Sequence, residues 1–345
     1  MRRLWCVALA LLALAGCEDR DVETKSSQYV FGTVVEITVR GVPKAEAEAA
    51  FAALAEGFRR MHVDWHAWKP GGELMRVNAA CKTGEPVRVS PFTLPLIADA
   101  KRYYALSDGL FNAAVGEIVG AWGFHADEPE KGRTPPFDEI RALAARHPSM
   151  DDVSIDGDRV TCSNPAVGLD FGGFAKGAAV DWALATLNGR GIADAVVSAG
   201  GNVGTSGSHG DRPWRIGIRD PKTWGVIASV EASGGESVYT SGNYERFREH
   251  EGVRYSHIID PRSGWPVEHV VSTTVIATDG SLADAASTAL TVAGVDDWPR
   301  IAERMGIDQV LMLDDRGNLY ATPKMAARLA FPEGAKPSVI VRNLP

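Results

Sequence analysis

Strand patterns and helix patterns succeed one another along this chain without a fixed period, and that irregularity limits its fold more than any other feature. Residues 33–39 (TVVEITV) alternate as a half-buried strand does, with Val35, Ile37 and Val39 on one side. Pro43 then opens a helix in which Ala47, Phe51, Leu54, Phe58 and Met61 keep helical spacing. Ser90 and Pro91 read as an N-cap and a first-turn proline, leading a helix to about Leu106. VSIDGDRVTC carries a hairpin signal at Asp156-Gly157. A helix from about Gly173 to Leu187 follows, then the apolar run Ala195 to Ser198, strands with turns over 213–240, and a strand over 270–278. The helical SLADAASTALTVAG and the hairpin VLMLDDRGNLYAT complete the series. Neither an internal repeat nor a βαβ alternation emerges, so the chain reads as α+β with mixed or antiparallel sheets and packed helices.

With 345 residues and 45% hydrophobic content, the chain can bury one large core or two smaller ones. Its formal charge is −8, and the basic residues are scattered among acids. That argues against a nucleic-acid partner.

The N-terminus reads as a targeting segment. Arg2 and Arg3 precede the apolar run Leu4 to Ala15, too short to span a bilayer but suited to a secretory signal. The run ends in Leu14-Ala15-Gly16-Cys17, which resembles the lipobox of bacterial lipoproteins. Residues 1–16 are therefore expected to be a signal peptide, Cys17 the lipidation site, 17–28 a polar tether, and 29–345 the folded domain. Such a chain would sit on the bacterial cell envelope, facing the periplasm. Cys81 and Cys162 would remain as candidates for a disulfide, and the spacing leaves their pairing open. No Cys/His spacing suited to a soft metal is present, so any metal would be held by oxygens.

Three short stretches carry chemistry. LDFGGFAKGAAVD, residues 169–181, places Asp170 before two glycines and Lys176 after them, at a helix start. Unpaired N–H groups and partial positive charge at such a terminus, with glycines admitting close approach, suit an anionic phosphate. The same glycines would equally let the helix pack closely on a strand, with Lys176 solvated. Asp170 could accept from a sugar hydroxyl, a base or a neighbouring N–H. In ADAAST, residues 283–288, Asp284 and Thr288 stand one helical turn apart with Ser287 beside them. They could supply part of an oxygen shell for Mg²⁺, or be a dipole-favoured Asp and a Thr bonded back to a carbonyl. In YSHIIDPRSGWPV, His257 could take a proton from an attacking hydroxyl, or be a hydrogen-bonded core residue. Together the first two suggest chemistry on a phosphate ester or pyrophosphate.

GLDFGGFAKGAAVD, SAGGNV, TSGNYERF, SHIIDPRSGWPV and DGSLADAASTALTVAG, in this order, resemble the ApbE family of FAD:protein FMN transferases. FGTVVEITV, WHAWKPGGELMRVN and SDGLFNAAVG followed by AWGF agree as well, so the resemblance runs from about residue 29 to 322. It implies a T-fold-like α+β protein that binds FAD and Mg²⁺ and transfers FMN to a threonine or serine hydroxyl of a target flavoprotein, releasing AMP. The metal ligands it implies are the Gly173 carbonyl and the Asp284 and Thr288 side chains, with Ser287 close by. Flavin contacts would fall on Phe31, Trp68, Leu110, Phe111, Asn112, Asp170, Lys176 and the main chain around Ile258, and His257 would accept the proton. Phe31, His66-Ala67-Trp68, Gly72, Asn112 and Asn202 depart from the residues usual in the family. A FAD pyrophosphatase using water, or a non-enzymatic FAD-binding lipoprotein, would use the same residues.

Overall fold

The computed structural model describes residues 23–125, 136–335 and 337–345, so Cys17 and the signal segment lie outside the described residues. Nine strands form the main sheet, here β1 to β9: Glu23–Val30, Thr33–Arg40, Asp194–Ala199, Asn202–Ser206, Ser237–Gly242, Val270–Ala277, Val310–Asp314, Leu319–Ala321 and Val339–Val341. Their order in space is their order along the chain. Every neighbouring pair is antiparallel except β8 and β9. The α+β reading holds, and the irregular period has a simple cause: helices and small hairpins are inserted between consecutive strands of a meander.

β1 overturns part of the expected tether. Glu23–Val30 is a strand paired with β2 from Glu23↔Arg40 to Val30↔Thr33. Its side chains are largely exposed or half-buried, which is why no apolar period marks it. An edge strand of this kind is held by the backbone ladder it shares with its neighbour, not by a buried face. The two-residue turn Phe31-Gly32 has φ values of 59° and 71°, as a type I′ hairpin requires.

The strands divide two cores by period 2. Tyr239, Val275, Val310 and Met312 join the larger core, while Val238, Ile276, Leu311 and Leu313 join the second. The larger core is covered by helices α1 (Lys44–Asp64), α2 (Glu73–Thr83), α3 (Leu94–Leu106), α6 (Ala175–Gly189) and α7 (Gly280–Met305). The hairpin Trp214–Arg219/Val226–Ala232 brings Ile218 and Val230 to the second core. All five residues that mark the apolar stripe of α1 are buried. α3 begins at Leu94, later than the Ser90 cap predicts, and has Thr93 at its N-cap and a proline in its first turn. Ser90 does not cap because its Oγ and N both donate to the Glu73 carboxylate, at 2.5 and 2.9 Å, and this ties it to α2.

Residues 41–193, between β2 and β3, also contain α4 (Gly116–Ala121), α5 (Phe137–Ala144) and a small sheet of Val87–Arg88, Arg159–Cys162 and Val153–Asp156. Cys81 of α2 and Cys162 of this sheet form a disulfide. Closing a loop with a sequence separation of 81 residues stabilises by roughly 4 kcal/mol in the chain-entropy picture. Trp122, Phe124, Ile118, Ile140 and Ile259 form a third cluster. Trp122 Nε1 donates to Gly264 O at 2.8 Å, which anchors the segment after His257 against α4. α7 runs regularly to Gly294, where φ is 75° and the helix breaks. Among the described residues no helix is long and apolar enough to cross a membrane.

Candidate active site

The glycine loop is shaped by Asp170. Its Oδ1 accepts from Gly172 N at 2.7 Å, the two-residue reach of an Asx turn, and the main chain then enters α6 through Phe174 N and Ala175 N, both donating to Phe171 O. Of the partners open to Asp170, a neighbouring N–H is the one the loop itself supplies. The second oxygen lies 3.2 Å from His125 Nε2. Burial pushes this carboxyl up, but the His125 bond and charge, the Gly172 N–H and the Arg246 charge outweigh it, and the pKa ends below the usual carboxylate value. Gly172 is exposed, and Lys176, in the first turn of α6, reaches back to Gly172 O at 3.3 Å.

Asp284 reaches the same place from the other helix. An added Cβ on Gly177 would stand 2.3 Å from Gly280 O, so only glycine lets α6 and α7 cross this closely. At that crossing Gly177 N donates to Asp284 Oδ2 at 3.0 Å, Asn202 Nδ2 donates to Oδ1 at 3.0 Å, and Lys176 Nζ is 4.0 Å from Oδ2. The carboxyl is 2% exposed. Burial raises its pKa, and Lys176, Gly177 and Asn202 offset this only in part.

A group of hydroxyls lies one turn further along. Ser241 Oγ is 2.7 Å from Ser287 Oγ and 3.2 Å from Thr288 Oγ1. Ser287 and Thr288 also bond back to Asp284 O, at 2.9 and 3.3 Å. A Cβ on Gly173 would be 3.7 Å from Thr288 Oγ1, which places the loop glycine beside this hydroxyl. Gly173 thus neighbours Thr288, and Thr288 and Ser287 follow Asp284 by one turn of α7; the bond from Thr288 to the Asp284 carbonyl is the one the alternative reading of this pair expects. These residues offer one carboxylate and neutral oxygens, a hard donor set of the kind Mg²⁺ takes. Among the described residues no group of three or more His, Cys, Asp or Glu converges.

His257 follows the hairpin Phe247–His250/Val253–Ser256 and its ring is half-buried. Nδ1 is 3.0 Å from Arg246 O. A carbonyl can only accept, so Nδ1 carries the proton and Nε2 keeps its lone pair. Burial and the Arg246 and Lys176 charges hold the ring pKa down at about 4, leaving it neutral at pH 7.

The residues expected around the flavin divide into two groups. Phe31, at the β1–β2 turn, packs edge-on against Phe58 at 5.7 Å, and its positive φ is unusual for a bulky side chain. Trp68 is half-buried and stacks on His125, with centroids 4.3 Å apart. A cavity of about 290 Å³ is lined by Trp68 and His125 together with Met75, Asn78, Lys82 and Glu117. A wider hollow of about 600 Å³ along Arg60, Glu73 and Arg76 contains none of the glycine-loop residues. In the second group Leu110, Phe111 and Ile258 are buried and Asn112 is half-buried. Leu110 and Phe111 are 4% and 3% exposed and belong to the core. Asn112 donates to Pro148 O and accepts from Ala114 N, so its side chain shapes its own loop. Ile258 is buried, its N–H donating to Ser256 Oγ and its carbonyl accepting from Val267 N.

Sequence reasoning passed over His125, Ser241, Arg246 and Asp181. Asp181, the last residue of the glycine motif, accepts from Gly280 N and Ser281 N at 3.2 and 2.9 Å and so holds the first turn of α7. Burial and the nearby acids Asp279 and Asp284 push its pKa to about 7. Ser241 and Arg246 lie inside TSGNYERF, where their presence in a shared motif was the available signal. His125 had none.

Known proteins resemble this chain in sequence and in overall fold. The profile of the ApbE family covers residues 31–311. A Rhodobacter capsulatus protein named FAD:protein FMN transferase is 50% identical over 92% of this chain, which spans 60% of that relative's length. One of the same name from Vibrio cholerae is 32% identical over 93% of this chain and 97% of its own. Two solved structures superpose closely. The ApbE protein of Thermotoga maritima has a TM-score of 0.80 at 31% identity, covering 89% of this chain and 99% of its own. The flavin transferase ApbE of Vibrio cholerae has a TM-score of 0.79 at 29% identity, over the same shares. A match that spans residues 31–311, well over half of the chain, makes this chain a member of the ApbE family.

Proposed function

We propose that this chain is an FAD:protein FMN transferase that moves FMN from FAD to a Thr or Ser hydroxyl of a target flavoprotein. The acceptor hydroxyl attacks the FMN-side phosphorus, a P–O bond to the acceptor forms, the pyrophosphate bridge breaks, and AMP leaves. The hydroxyl proton passes to His257 Nε2, which is unprotonated because Nδ1 is engaged by Arg246 O. The exposed loop at Gly172 and the Lys176 ammonium would take up charge on the pyrophosphate. The observation that carries this reading is the junction of the two helices, where the Asp284 carboxylate is bonded to Gly177 N within 4.0 Å of Lys176.

Mg²⁺ fits the same residues. Asp284 is a buried carboxylate only partly compensated, and Thr288, Ser287 and the Gly173 carbonyl are the oxygens expected to complete its side of the shell. When bound, the ion would neutralise pyrophosphate charge and stabilise departing AMP. For location we propose a lipid anchor at Cys17 on the periplasmic side of the envelope, a reading to which the Cys81–Cys162 disulfide lends support.

The test uses the chain from residue 18 onward with FAD, Mg²⁺ and a threonine-bearing flavoprotein domain, read by intact mass and AMP release. An FMN adduct that is lost with chelator is expected, and Asp284→Ala should abolish AMP release while only weakening flavin binding. AMP with free FMN and no adduct would favour hydrolysis, FAD bound without turnover would favour a carrier, and unchanged turnover in Asp284→Ala would sink the metal assignment.

A further inference from the structure

The contacts of His125 join Trp68 to the glycine loop. Its ring lies face to face with Trp68, centroids 4.3 Å apart and planes 14° apart. The edge of the same ring approaches Asp170, with Nε2 3.2 Å from Oδ2. Since the Asp170 carboxyl is held ionised, it accepts and His125 Nε2–H donates. The other Asp170 oxygen holds Gly172 N, and Gly172 O receives Lys176 Nζ. His125 is therefore the link between the indole and the loop that begins α6. The His125 and Asp170 side chains are 25% and 12% exposed, so water competes little for the bond between them.

We propose that His125 is a positioning residue that fixes the separation between the Trp68 ring platform and the glycine loop, so that FAD engages both together. This rests on the reading that the flavin ring meets Trp68 and the pyrophosphate meets the loop. A ligand with two linked halves gains from a rigid pair of subsites, because the second engagement is intramolecular once the first has formed. If the subsites can drift, each half still binds as before, but the two cannot be satisfied together. The structure thus assigns His125 a role that only the whole dinucleotide reports.

The experiment measures Kd values of the purified full chain for FAD, for riboflavin as the ring half and for ADP as the pyrophosphate half. It compares the native chain with His125→Ala, His125→Phe and His125→Gln. His125→Phe keeps ring volume and stacking, so it guards against simple misfolding. We expect FAD affinity to fall about tenfold in the Ala and Phe variants, with riboflavin and ADP within about twofold of native. His125→Gln, which keeps a donor for Asp170, should return FAD affinity to within about threefold of native. Equal weakening of riboflavin and FAD would mean that Trp68 had merely lost support, and would overturn the proposal. Native FAD affinity in all three variants would overturn it as well while leaving the proposed function standing. A native chain that does not bind FAD would overturn both.

Discussion

The acid side of the pH profile tests the proton acceptor directly. His257 is held at about 4 against an ordinary 6.5, first by burial and then by the Arg246 and Lys176 charges. At pH 5.5 a ring with that pKa is about 97% neutral, whereas an unperturbed histidine would be about 9% neutral. With FAD well below saturation, where kcat/KM reports the free enzyme, AMP release should therefore keep nearly its full pH 7 value at pH 5.5 and halve only near pH 4. Removing the ring should cost about 10²- to 10⁴-fold in transfer, with FAD binding intact. Added imidazole should restore part of the rate in His257→Ala, with the acid limb moved up to the pKa of free imidazole, about 7. A wild-type half-point near 6.5, or a wild-type transfer rate in His257→Ala, would refute the reasoning. Stability carries the same signature. Between pH 6.5 and 4 the unfolded chain binds a proton at His257 that the folded chain does not, so this group makes the native protein lose stability as pH falls through that window. His257→Ala should lose that part of the acid sensitivity.

Two further substitutions test the architecture under the site. Gly177→Ala puts a methyl 2.3 Å from Gly280 O, a main-chain atom that cannot swing aside, so α6 and α7 must separate. We expect a loss of about 3 kcal/mol in urea unfolding together with loss of AMP release, and an unchanged midpoint would disprove the close crossing. Asn202→Ala removes the donor to Asp284 Oδ1 and the acceptor of Thr240 N. Leaving the buried carboxylate and the half-buried Thr240 N–H short of a partner should cost about 2 kcal/mol, read as a lowered urea midpoint, and a neutral result would show that water replaces the amide.

Local readings survived where one face of an element is buried or where a turn carries its own residue signal. The stripe of α1 and the alternation of β2 were legible because apolar period reports a buried face directly, and the Asp156-Gly157 hairpin was legible from its turn residues. β1 was not legible, since an edge strand is held by backbone bonds to which any side chain is indifferent. Ser90 misled for a related reason. Its sequence context is that of a helix cap, but its N–H and O–H both donate to the Glu73 carboxylate, 17 residues earlier, and this turns the side chain toward α2 instead of toward the N–H groups of α3.

The site divides along the same line. By itself the sequence determined which chemical groups are present: two glycines and a lysine at a helix start, a carboxylate and hydroxyls one turn apart, and a histidine after a hairpin. These follow from spacing within single elements, where the backbone geometry is regular. Only the tertiary structure decided that Gly177 lets two helices meet so that Asp284 stands beside Lys176, that Leu110 and Phe111 turn inward while Asn112 bonds to Pro148 O, that Cys81 meets Cys162, and that His125 bridges Trp68 and Asp170. Each of these depends on where separate elements cross in space, and a crossing is set by the packing of many side chains at once rather than by the period of any one segment.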